Sequence, residues 1–485
     1  MKKINLLLPV ESINREIDYK LFLATSLANK NTNVVIAQHD YFNTDCSLFK
    51  EGIYIGKCVF KSNFSSPTGD EVDIRFYNEI KKNNILLIHL HEEGGLYAGD
   101  KKCWETELDI KLDPKVLMKD DYIFTWGSFQ KKYYQTKNSM LQDSNIIDCG
   151  HPKFELCKPR FRAYYEKEID EIKAKYGSFV LVNTNHDIAN PLAGLEGIFS
   201  RNSFDADERW CHYSLRDDQM RLKFVKNWSF QTENLSDYVS LLHKLSVTFP
   251  DKTFILRPHP CENPEYYKTV FFGIKNIHVE KTNVVQPWIM AADLVIQNGC
   301  TTALETFLAE TPVVTYRPIE NERFEIKLPN QFGVQCTAED DVVQAIVDIG
   351  KDPKPFIKKN SLTPSTKSLI KNLEKNLYDE VISLVNNIIQ EKLKNNVHNG
   401  EISIRKLRFR EIRNSLMLFC RALVRIFFIE KRIRYASAKV HFPGFDQNVV
   451  AEKIKETQDI LNKKVSLEYL SDRLLIITGG EANKS

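Results

Sequence analysis

The chain has 485 residues, of which 42% are hydrophobic and 27% charged, a balance that excludes an intrinsically disordered protein and a length that points to two or three domains. Its formal net charge of +3 is too even for a protein devoted to nucleic acid. The ten cysteines form no CxxC pair and keep no regular spacing, which speaks against a disulfide framework or a zinc site and makes a reducing cytoplasm the expected location.

Met1-Lys2-Lys3 precedes an apolar run over 4–10 that Glu11 and Arg15 cut short, with no small-residue cleavage site behind it. The run therefore reads as a buried first strand rather than a signal peptide. Apolar runs at 34–38, 85–90 and 122–126 follow, separated by helical stretches such as 19–28. Short strands spaced by helices are the mark of a parallel sheet covered on both faces, so residues 1–175 are predicted as one Rossmann-like domain. The pattern restarts at 179–183 and continues at 253–257, 277–280, 294–297 and 312–316, with a helix over 301–309. A second domain of the same kind is predicted over 176–365, with the boundary in the charged helix 163–175. The expected fold class is therefore α/β, two Rossmann-like domains in tandem followed by a helical C-terminal extension.

Between the first two strands of the second domain, the excursion 191–235 carries Trp210 and Trp228 and reads equally as a binding lid or a helical hairpin. Leu369, Leu373, Leu377, Val381 and Leu384 step at helical spacing within a closing helix predicted over 366–394. After a linker at 395–400 comes a tail predicted as basic and helical over 401–485. Residues 401–440 hold eleven basic and three acidic side chains, a local net of +8. Such a segment suits either an anionic membrane surface, the preferred reading, or a face of its own protein. No run approaches the roughly 18 apolar residues a membrane span needs. The expected location is cytoplasmic, peripheral on the inner membrane.

Three segments place polar groups at predicted strand ends, where open α/β sheets bind their ligands. His91-Glu92-Glu93-Gly94-Gly95 sets two carboxylates on a glycine-rich turn, where either Glu93 or Glu92 can face a cleft as general base; taken alone, such a turn is more often a solvated loop. Arg257-Pro258-His259-Pro260 holds a guanidinium and an imidazole rigidly, suited to a phosphate leaving group, although a strand-end histidine is commonly structural. Asn298-Gly299-Cys300-Thr301-Thr302 precedes a helix whose free N–H groups and threonine hydroxyls suit an anion, with Glu305 one turn in; Thr302 and Glu305 also have capping-box spacing, which needs no ligand. Asp205-Ala206-Asp207 has metal–nucleotide spacing but reads as a solvated stretch. No phosphate loop and no HExxH occurs, and Cys300 has no evident base.

Taken in order, Val10-Glu11 with Arg15-Glu16, His91-Glu92-Glu93-Gly94, Trp126-Gly127, Gly150-His151-Pro152-Lys153-Phe154, Val182-Asn183-Thr184-Asn185 and Arg257-Pro258-His259-Pro260 resemble the motifs of bacterial surface carbohydrate biosynthesis proteins. These are GT-B glycosyltransferases related to the CMP-sugar-dependent sialyl-, polysialyl- and Kdo-transferases. The resemblance spans about residues 4–330. It implies an acceptor-binding first domain and a nucleotide-sugar-binding second domain. It further implies Glu93 or Glu92 as catalytic carboxylate and His259 at the CMP phosphate, assisted by Arg257, Asn298, Gly299, Thr301 and Thr302. Glu305 would reach the ribose, and Arg15 and Asn185 the acidic sugar or the acceptor. The implied partners are a CMP-sugar donor and a glycan acceptor, with no nucleic acid, no cofactor and no essential metal, since a monophosphate leaving group can be held by hydrogen bonds and cations alone. Rival readings are a UDP-sugar or CDP-polyol transferase, an epimerase of the same fold, and a non-catalytic glycan-binding scaffold.

Overall fold

The computed structural model describes residues 3–58, 60–61, 72–137, 140–192, 194–195, 218–358, 362–371, 373–394, 402–413, 416 and 442–480. In the first domain, β1 (Ile4–Val10), α1 (Ile13–Leu27), β2 (Thr32–Gln38), β3 (Ile53–Ile55), β4 (Leu86–Leu90), β5 (Tyr122–Thr125) and β6 (Ile146–Asp148) follow in turn. Every residue of β1 and of β4 is buried, as expected of apolar strands covered on both faces. The strands run parallel in the order β2-β1-β3-β4-β5-β6. The chain reverses its direction of addition between β1 and β3, and the crevice above such a reversal is where doubly wound sheets take ligands.

Helix α2 (Glu166–Tyr176) leads into the second sheet and stops at Gly177, whose φ of +65° suits glycine. There β7 (Phe179–Asn183), α3 (Asp218–Thr248), β8 (Thr253–Arg257), β9 (Ile277–Val279), β10 (Leu294–Gln297), α4 (Thr302–Leu308), β11 (Val313–Tyr316) and β12 (Val334–Cys336) build a parallel sheet in the order β9-β8-β7-β10-β11-β12. Asn183 stands beside both Arg257 and Gln297 in register, so three strands end level. The reversal here falls between β7 and β10. Two Rossmann-like domains in tandem are thus present, as the sequence led us to expect. Trp228 lies on α3; Trp210 and Asp205-Ala206-Asp207 fall outside the described residues.

The chain then returns to the first domain. Helix α5 (Leu377–Lys394) packs Val381, Val385, Ile388 and Ile389 into the core that holds Leu6 and Leu8. The predicted closing helix begins only at Leu377, because the preceding backbone is engaged elsewhere: Phe129 N–H donates to Ser368 O at 3.0 Å and Lys371 N–H to Trp126 O at 2.6 Å. The tail is helical over 404–413 and in α6 (Gln447–Leu461). Its end corrects the expectation of a wholly helical tail, since β13 (Val465–Ser471) and β14 (Leu474–Gly479) form a hairpin that pairs antiparallel with β2 and extends the first sheet to eight strands. The open edge of β2 supplies the backbone partners, and Leu474 to Ile477 are at most 2% exposed. The stretch 417–441, which carries most of the predicted basic helix, lies outside the described residues. Two of its flanking arginines are engaged within the protein, Arg408 with Glu468 at 2.5 Å and Arg410 with Asp45. No helix among the described residues is long and apolar enough to cross a membrane.

Because β14 belongs to the core, Leu475→Ala should destabilise the whole first domain by about 2–5 kcal/mol. Thermal melts would show it lowering the transition as far as Leu8→Ala does; an unchanged melt would make the hairpin an appendage.

Candidate functional site

Each sheet carries at its C-terminal edge a turn held from several sides, and just beyond the first turn the two domains meet directly, Gly99 N–H donating to Glu325 O at 3.2 Å. After β4, four successive backbone carbonyls are taken by side chains of different elements. Trp126 Nε1 donates to His91 O at 2.9 Å, Lys153 Nζ to Glu92 O at 2.8 Å, Lys111 Nζ to Glu93 O at 2.8 Å, and Gln130 Nε2 to Gly94 O at 2.8 Å. The indole of Trp126 lies so close beneath the turn that a Cβ at Gly94 or Gly95 would meet it at 2.6 Å. Glycine is required there for close approach rather than for an unusual dihedral.

This clamp sends the two adjacent carboxylates opposite ways. Glu92 is 8% exposed and lies among the Tyr19 hydroxyl, Lys20 Nζ at 3.2 Å and His151 Nε2 at 3.4 Å. It anchors α1 and the 151–157 segment to the turn, while its Oε2 is buried without a hydrogen-bond partner. Glu93 is half-exposed and bonded to Arg15 Nη1 at 2.6 Å. Burial opposes its ionisation, but the Arg15 guanidinium, and after it Lys111, hold its carboxyl well below the usual carboxylate range. Arg15 is itself fixed by Glu16 at 3.0 Å, a buried carboxylate that also takes Lys20 at 2.6 Å and the N–H groups of Glu11 and Ser12.

On the opposite edge the fully buried Glu262 ties two loops together. It accepts from Thr184 Oγ1 at 2.9 Å, His186 N at 2.8 Å, His259 N at 3.2 Å and Tyr267 Oη at 2.6 Å. Asn185 Nδ2 reaches Gly299 O at 3.1 Å and so spans the reversal between β7 and β10. His259 Nδ1 accepts from Cys261 N at 3.3 Å, which leaves the proton of a neutral ring on Nε2, and burial favours that neutral form. His91 and His151 repeat the device, their Nδ1 atoms accepting from the N–H two residues on at 3.0 and 3.2 Å.

The remaining predicted residues divide. The Arg257 guanidinium donates to Thr282 O at 2.7 Å and Asn283 O at 3.0 Å and stacks 4.9 Å from the Trp288 ring centre. These contacts fix the guanidinium against the 282–283 backbone. The Asn298 amide is engaged at both ends, with Asn234 at 3.0 Å and Asn330 at 3.2 Å, and the N–H of Gly299 goes to Asn330 Oδ1 at 2.6 Å. Thr301 is the N-cap of α4 without a side-chain cap bond, so Thr302 and Glu305 form no capping box. Thr302 Oγ1 and Glu305 Oε2 are buried without a hydrogen-bond partner. Lys153 of the first domain acts electrostatically on Glu305. Glu93 and Arg15 likewise act electrostatically on His259 and Cys261 of the second domain. Sequence reasoning did not single out Lys20, Lys111 or Glu262, whose roles exist only in the folded chain. Among possible metal ligands, Asp187, His259 and Cys261 bring their donor atoms within 4.8 Å of one another. A depression of about 580 Å³ beside β9, lined by Lys175, Tyr176, His278 and Glu280, holds none of these groups, and its Glu280 is already paired with Lys175 at 3.0 Å.

No family model matches the chain, and no curated protein does. Among solved structures, the chain superposes on a wall teichoic acid polymerase TagF with 11% identity, 81% of this chain and 90% of that chain covered, and a TM-score of 0.44. For the UDP-GlcNAc 2-epimerase from Neisseria meningitidis the values are 10%, 80% and 100%, with a TM-score of 0.43. For the enzyme of that name from Methanocaldococcus jannaschii they are 12%, 79% and 99%, with a TM-score of 0.44. The assignment of two Rossmann-like domains rests on the strand orders given above.

Burial pushes the Glu262 carboxyl up to about 7. Between about pH 4.5 and 7 the folded chain therefore holds a proton that the unfolded chain has released, and stability falls as pH rises through that window, by up to about 3 kcal/mol. Glu262→Gln, which cannot ionise, should flatten this slope in denaturant melts; equal slopes would refute the assignment.

Proposed function

We propose that the chain is a nucleotide-sugar glycosyltransferase of the GT-B kind that moves an acidic keto-sugar, of nonulosonic acid or Kdo type, from a CMP donor to a surface-glycan acceptor. The observation that carries this reading is that the half-exposed, rigidly clamped Glu93 of the first domain acts electrostatically on the partly buried imidazole of His259 in the second. In the reaction the acceptor hydroxyl gives its proton to Glu93 as its oxygen bonds to the anomeric carbon. The bond from that carbon to the phosphate oxygen breaks, and the His259 Nε2–H and the Thr302 hydroxyl donate hydrogen bonds to the departing monophosphate. Thr301 flanks that contact, and Glu305 lies one helical turn deeper.

Arg15 suits a carboxylate-bearing sugar. Its Nε is buried without a partner, and its Nη1 bond to Glu93 is one that a substrate carboxylate would weaken. A base held by a guanidinium is a poor proton acceptor, so an anionic substrate that draws Arg15 aside would also raise the basicity of Glu93. Asn185, on the facing loop, would touch the sugar or the acceptor. For the tail we retain a peripheral membrane contact, supported by the exposed Phe409, Ile412 and Leu416. Loss of anionic-liposome co-sedimentation on deleting residues 401–441 would support it, and unchanged binding would reject it.

CMP should raise the melting temperature more than UMP, UDP or CDP; equal shifts would remove the donor assignment and favour a UDP-sugar or CDP-polyol enzyme. Glu93→Gln should lower kcat by about 10²- to 10⁴-fold while CMP binding persists. In Arg15→Ala, loss of the guanidinium should let the Glu93 pKa rise, so the acid limb of the kcat/KM profile should move to higher pH. A limb that stays in place would show that Glu93 is not the titrating base.

A further inference from the structure

We propose that Asp187, His259 and Cys261 form a binding site for a thiophilic divalent cation of the zinc class at the second-domain wall of the cleft. The inference stands on its own geometry and is independent of the donor assignment. The three side chains offer one carboxylate oxygen, one imidazole nitrogen and one sulfur, all within 4.8 Å of one another. Zinc bonds of about 2.0–2.3 Å place tetrahedral ligand atoms roughly 3.5 Å apart, so side-chain rotation of about an ångström closes the site. A sulfur in the set selects zinc or cobalt over magnesium or calcium.

The two loops that carry these ligands are already joined. Glu262 accepts the N–H of His186, next to Asp187, at 2.8 Å and the N–H of His259 at 3.2 Å. Loops joined in this way hold their side chains near one another before the metal arrives. The charges that reach His259 are mixed, with Asp187 and Glu93 favouring a cation and Arg15 and Lys281 opposing it. Burial keeps the Cys261 thiol protonated, its pKa pushed up to about 12, so ligation releases that proton to solvent as the sulfur–metal bond forms. Ligation through Nδ1 would replace the 3.3 Å contact from Cys261 N–H, and ligation through Nε2 would move the ring proton to Nδ1. Three protein ligands leave a fourth position for water or an anionic oxygen. A cation on the Nε2 of His259 would remove the N–H that a departing phosphate needs, so metal and donor would compete at that atom.

The test is a Co²⁺ titration of the metal-free full-length chain, read in the near-ultraviolet band of thiolate-to-cobalt charge transfer. The wild-type chain should develop this band, Cys261→Ser should lose it at an unchanged melting temperature, and Asp187→Asn should bind Co²⁺ at least about tenfold more weakly. No band in the wild-type chain, a band that survives in Cys261→Ser, or Asp187→Asn binding as tightly as wild type would each overturn the proposal. Asp187→Asn keeps the question decidable should Cys261→Ser fail to fold.

Discussion

The site depends on a backbone clamp. Four consecutive carbonyls, from His91 to Gly94, are each held by the side chain of a residue from a different part of the first domain. A turn so held has almost no freedom left, and the direction of each side chain on it is set. That is why two neighbouring carboxylates serve different ends, Glu92 inward as a strut and Glu93 outward into the cleft. Hydrogen bonds from lysines are worth more than neutral ones, and two of the four clamping donors are lysines. The charge of Lys111 also adds to that of Arg15 in lowering the energy of the ionised Glu93.

The second domain meets this with a different device. Glu262 is a buried carboxylate that accepts from two loops and a tyrosine, and it trades some stability at neutral pH for a fixed distance between the β7 and β8 ends. Between the two turns Glu93 and Arg15 act electrostatically on His259, and Lys153 on Glu305, while beside them the domains pack closely, Ala303, Leu304 and Leu308 sharing one apolar core with Trp126 and Phe154.

Much of this was legible in the chain itself. Buried parallel strands announce themselves as short apolar runs, so β1, β4, β7, β8 and β10 and the tandem repeat of the fold could be read directly, as could the turns that carry Glu93, His259 and Thr302. What could not be read depends on partners distant in sequence. Arg257 looks like a phosphate ligand until Thr282, Asn283 and Trp288 close around it, and Asn298 until Asn234 and Asn330 do. The β14 run 474–478 is too short to be told from a buried helix by periodicity, and only the open edge of β2 decides the matter. Asp187 and Cys261 show no metal-ligand spacing because the loops that join them are 74 positions apart in the chain.

The central claim is that one cleft holds a cytidylate at His259 and Thr302 while Glu93 waits on the far side. A crystal structure of the chain with CMP tests it most directly. The account requires the phosphate within hydrogen-bond distance of His259 Nε2 and Thr302 Oγ1, with the Glu93 carboxylate across the open space where the sugar and acceptor would lie. CMP bound elsewhere, or a phosphate at His259 with Glu93 turned away from it, would contradict the account.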